Sequence, residues 1–118
     1  MGYVFESDDD EIWSPGNLVG QVLMRQVEDL ERLVGQKSGV TEYMSGLVKV
    51  DFAQLGDFLA ATASYLGNIH NHTLHLLLRP AVVTLVALYD AEQNHDRSRK
   101  FEFEPIVFSE TNGILRRW

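Results

Sequence analysis

The sequence predicts an α+β fold, with three main helices packed with a small antiparallel sheet formed by the N- and C-terminal strands. Apolar residues recur at three- and four-residue steps in three separate central runs, which marks amphipathic helices. Period-two alternation stands at both ends, in "YVFESDDDEIW" and in "KFEFEPIVF", which marks strands. The chain has 118 residues, the size of one core, so a single domain over 1–118 is expected.

At the N-terminus Tyr3 and Phe5 alternate with Val4 and Glu6, acids intervene, and Ile12 and Trp13 resume. This predicts a strand, a charged turn and a second short strand. In "WSPGN", Ser14 suits an N-cap and Pro15 the first helical position, where its missing N–H costs nothing. Leu18, Val19, Val22, Leu23, Val27, Leu30, Leu33 and Val34 then form an apolar stripe that Gly35 should end. "GQKSGVTEYMSG" is rich in glycine and serine and reads as a loop.

Asp51, three residues before Gln54, is an aspartate version of the capping box and predicts a second helix from Phe52. Phe52, Leu55, Phe58, Leu59, Thr62 and Leu66 line its face, and Gly67-Asn68 supplies the stop. A third helix is expected from Asn71 to Gln93, apolar nearly all round at its centre. Pro80 lies inside it and predicts a kink or break, because proline removes one backbone hydrogen bond and clashes with the carbonyl of Leu76. A strand across "AVVTLVALY" is the alternative, although the length of the apolar run favours a helix. "HDRSRK" reads as a connector, Phe101 and Phe103 alternate with Glu102 and Glu104 in a strand, and Pro105 suits an edge. Asn112-Gly113 is a turn signal from which "ILRRW" could return as a last strand.

A net charge of −7 repels phosphate backbones and anionic headgroups, so neither nucleic acid nor a membrane is the expected partner. Without cysteine, disulfides, thiolate metal centres and a cysteine nucleophile are excluded. The first residues lack the basic and apolar regions of a secretory signal, and a cytoplasmic location is expected. "LHLLLRPAVVTLVALY" contains His75, Arg79 and Pro80 and falls short of the ~20 clean residues of a membrane span.

His70, His72 and His75 form the densest cluster of potential ligands. On a helix starting near Asn71, His72 and His75 share a face, a spacing that can bind a metal. Two ligands do not make a site, and no H-E-x-x-H signature accompanies them. Asn68, His70 and Asn71 equally suit capping of the helix start. "ESDDDE" offers oxygen ligands but lacks the frame of a calcium loop. It reads as a solvated turn or as an anionic patch for a partner's Lys or Arg. Glu28 with Asp29 and Glu102 with Glu104 show no apolar setting that would tune them for acid–base work. Neither a phosphate-binding glycine loop nor G-x-S-x-G is present. Trp13, Tyr43 and Tyr65 suit the core, whereas Trp118 beside Arg116 and Arg117 suits a binding hot spot.

The ordered pieces "WSPGNLVGQ", "VEDLERLVG", "VDFAQLGDFL" and "NHTLHLLL" resemble an actinobacterial family of small proteins of unknown function (DUF6086-like), over about residues 3–90. Trp13, Pro15, Asn17, Asp51, Phe52, Asn71 and His72 carry the resemblance most specifically. It implies a cytoplasmic actinobacterial protein and a helical segment over 71–92, and it carries over no catalytic residue.

The expectation is a non-catalytic protein-binding domain, of the kind of an immunity protein that neutralises a basic toxin such as a nuclease. Asp8, Asp9, Asp10, Glu102 and Glu104 would steer the encounter and Trp118 would anchor it. No catalytic residue and no cofactor are expected, and the partner is another protein. One alternative is a small metal- or ligand-binding protein or enzyme built on His70, His72 and His75. Another is a structural homodimer using the apolar helix faces.

Overall fold

The computed structural model describes residues 2–93. Its elements are β1 (Val4–Ser7), β2 (Asp10–Trp13), α1 (Asn17–Val34), β3 (Val40–Met44), β4 (Leu47–Val50), α2 (Phe52–Gly67) and α3 (His72–Gln93). They make an α+β fold of three helices and a four-stranded sheet ordered β2-β1-β4-β3.

The sheet departs from expectation in membership and direction. β1–β2 and β3–β4 are antiparallel hairpins, and β1 joins β4 in parallel, with Val4 opposite Leu47 and Glu6 opposite Lys49. The N-terminal strands therefore meet the middle of the chain, and the sheet is mixed rather than antiparallel. The expected strands over 101–118 lie outside the described residues. The segment read as a loop, "GQKSGVTEYMSG", contains β3 and the turn into β4. Its glycine and serine punctuate a hairpin: Gly46 takes a positive φ of 79° between the strands, which a side chain would resist.

Helix α1 starts two residues later than the Ser14-Pro15 signal suggests, with Gly16 as N-cap. Ser14 and Pro15 tie the chain to β1 instead. The Tyr3 N–H donates to the Pro15 carbonyl (3.2 Å) and the Ser14 hydroxyl donates to the Tyr3 carbonyl (3.2 Å). Gly35 ends α1 in the left-handed conformation, as expected, and its N–H reaches the Glu31 carbonyl. Asp51 caps α2 by accepting from the Gln54 N–H (3.1 Å). Asn71 accepts from the Leu74 N–H (3.0 Å) at the start of α3. Helix α3 continues through Pro80 without a break. The Thr84 hydroxyl donates back to the Pro80 carbonyl (2.8 Å).

The sheet turns Phe5, Val40, Val48 and Val50 toward the helices. They meet Val27 and Leu30 of α1, Leu55 and Phe58 of α2, and Val82 and Leu85 of α3 in one core. Phe5 and Trp13 pack with ring centroids 5.1 Å apart at 46°. Along β4 the alternation leaves Lys49 outside between buried Val48 and Val50. Tyr3 crosses α1 at Gly20, where an added Cβ would lie 2.2 Å from the ring. Only glycine admits that crossing.

Candidate binding site at the acidic hairpin tip

Residues from both hairpins and from α2 converge where the parallel strands β1 and β4 end. They border a cleft of about 760 Å³ whose lining includes Glu6, Asp8, Asp9, Lys49, Asp51 and Glu92. Period-two geometry brings Glu6 and Lys49 side by side on the outer sheet face, since they are register partners flanked by buried Phe5 and Val48. The Tyr43 hydroxyl donates to Glu6 Oε1. Lys49 Nζ stands 4.7 Å from the centroid of the Tyr43 ring, a cation–π contact. The hydrogen bond to Glu6, then partial burial and the charges of Glu6 and Asp9, raise the Tyr43 pKa above its ordinary value of 10.0. The tyrosine stays neutral and the Glu6 carboxylate keeps its donor.

Asp8 and Asp9 form the two-residue turn of the β1–β2 hairpin, both at positive φ, 53° and 67°. Two consecutive left-handed residues make the turn whose backbone twist suits a hairpin. Asn-Gly is the usual choice there, and an L-residue other than glycine costs up to about 1–2 kcal/mol at each position. Two aspartates occupy it here, both exposed at the cleft. Asp10 opens β2 opposite Ser7 and is exposed as well. Asp51 lends one carboxylate oxygen to the α2 cap.

The histidines do not gather. His70 and His72 are exposed, whereas His75 is 7% exposed and its Nε2–H donates to the Ile69 carbonyl (2.8 Å). That bond ties the first turn of α3 to the α2–α3 connection. The carbonyl only accepts, so the proton sits on Nε2, and Nδ1 is left buried without a hydrogen-bond partner among the described residues. Among the described residues no three His, Asp or Glu side chains are arranged to hold a metal. Glu102, Glu104 and Trp118 lie outside the described residues.

Chemically, the described residues of the tip combine carboxylates with a single lysine, an arrangement suited to holding cationic side chains. The sequence does not single out Glu6, Tyr43 and Lys49 as a group, because residues 35–46 read as a loop. The alternation in "TEYMSGLVKV" around Ser45-Gly46 was the available signal.

A family model described as "Family of unknown function (DUF6086)" matches residues 1–99. No curated protein and no solved structure matches the chain.

Proposed function

Since the chain belongs to this family of unknown function, we propose from the hairpin tip that it is a non-catalytic domain that binds a basic protein. It would act as an immunity protein does, covering a toxin such as a nuclease in the cytoplasm of an actinobacterium. The carrying observation is the Asp8-Asp9 turn: two left-handed residues, neither of them glycine, held at the edge of an acid-lined cleft. Strained backbone at a surface tip supports a functional reading when a less strained residue pair is available. A chain charge of −7 adds long-range attraction for a cationic partner.

The test is capture from lysate of the source cells with mass spectrometry, using wild type beside Asp8→Asn/Asp9→Gly. That variant keeps the turn geometry and removes both charges. A basic protein recovered near one to one by wild type and lost by the variant supports the reading. A partner recovered equally by both removes the hairpin tip from it. With the partner in hand, reversing the charges of Asp8, Asp9 and Asp10 should slow association and flatten its salt dependence, and unchanged kinetics would sink the steering mechanism.

A further inference from the structure

Helix α1 carries more apolar surface than the core takes. Leu23, Met24, Val27 and Leu30 are buried, while Leu18, Val22 and Leu33 remain outside, Leu18 at 73% exposure. At 3.6 residues per turn those three fall along one stripe on the side of the helix turned away from the buried face. Near Leu33 the stripe opens into a groove of about 510 Å³ between α1 and α3, with Leu74, Leu78 and Ala81 on the α3 side. Leu77, 66% exposed, stands on its edge.

The charges along this face point to its occupant. Arg25 and Asp29 fall within that stripe and Glu28 and Arg32 flank it, two of each sign with Asp29 paired to Arg32 of its own chain, so the face is neutral on a chain carrying −7. A strongly basic partner finds no net attraction here, and the chain as a whole repels nucleic acid. Two copies of the chain also repel each other everywhere that acids predominate, and least at a neutral face. Both signs on one helix make the face self-complementary, as a two-fold contact requires. An antiparallel crossing centred between Arg25 and Asp29 sets each Arg25 opposite the Asp29–Arg32 ion pair of the other copy. We propose that α1 and the adjoining α3 groove form a two-fold contact between two copies of this chain, with Leu18, Val22, Leu33 and Leu77 as its apolar anchors.

Sedimentation of the full chain over a concentration series, at low and high salt, tests this. A monomer–dimer equilibrium that tightens with salt is expected, because screening relieves the repulsion between two acidic chains while apolar contacts persist. This is the opposite salt dependence to that of the hairpin tip binding a basic partner, so the two readings fail separately. Leu33→Asp/Leu77→Asp should abolish the dimer while circular dichroism and melting of the monomer stay unchanged, since both positions are exposed. Gln26→Cys, placed near the axis in a chain that has no cysteine of its own, should give a disulfide-linked dimer on oxidation. A wild-type chain that stays monomeric throughout overturns the proposal. So does a dimer that survives the double aspartate variant. Flotation of a monomer on zwitterionic vesicles, lost in that variant, would overturn it in favour of a lipid surface.

Discussion

Where the Tyr3 ring crosses α1 at Gly20, a single methyl group decides whether strand and helix can meet. Gly20→Ala raises helix propensity by up to about 1 kcal/mol, but its Cβ would lie 2.2 Å from the ring carbon Cγ. Overpacking of this kind costs about 1–3 kcal/mol, so net destabilisation is expected in urea unfolding. Tyr3 also has a pH signature. Burial, then the Glu42 carboxylate that accepts from its hydroxyl (3.2 Å), raises its pKa above 10.0. The fold therefore favours the neutral phenol. Its contribution is fully present below pH 10, the unfolded value, and is lost as pH climbs through the raised one. Tyr3→Phe should flatten that alkaline loss in a stability–pH profile. His75→Ala should cost about 2 kcal/mol, since it empties a buried site and strands the Ile69 carbonyl. His72→Ala, at an exposed position, should stay within about 0.5 kcal/mol by the same denaturation. Asp51 was readable as a cap because its partner Gln54 lies three residues on. Gly20 was not, because the ring it accommodates belongs to Tyr3, just before β1 and seventeen positions earlier, and no local pattern records that approach.

Among elements, α3 shows how packing overrides a local breaker. Of the kink or break that Pro80 predicts, the break does not occur, since the helix runs from His72 to Gln93. Its face at Ala81, Val82, Leu85 and Leu88 is buried, and that burial offsets the missing hydrogen bond. Pro80 itself is exposed. Pro80→Ala should therefore raise stability by about 1–3 kcal/mol, the helix-interior cost less the gain in unfolded-chain entropy, read as a shift in melting temperature. Helix α2 was legible throughout because its cap, its face and its stop agree. The β3–β4 hairpin was not. Its residues from Gly39 to Gly46 carry the composition of a loop, and only the parallel partner β1 supplies the pairing that makes β4 an interior strand. The α1 stripe was legible as apolar, but the sequence could not show that Leu18, Val19, Val22 and Leu33 stay outside the core. Periodicity reports which side chains share a face, and burial also depends on where the neighbouring elements end.

At the scale of the whole molecule the class, the helix count and the N-terminal hairpin could be read from the chain, whereas the order of strands depended on a pairing between distant segments. The candidate site was half legible for the same reason. Asp8 and Asp9 were visible as a turn, while their juxtaposition with Lys49 and Asp51 required the crossover between β1 and β4. Two opposite salt responses are expected of one chain: weaker capture of a basic partner and tighter self-association as ionic strength rises, separable by sedimentation with and without that partner. The interior position of β1 also bears on synthesis. Residues 4–7 leave the ribosome with only β2 beside them, and their second neighbour begins at Leu47. At roughly 5–20 residues per second, the hairpin waits some seconds with one edge unpaired. Mutations that slow translation between α1 and β4 would lengthen that exposure, and their cost should appear as aggregates of the nascent chain rather than as a less stable finished protein.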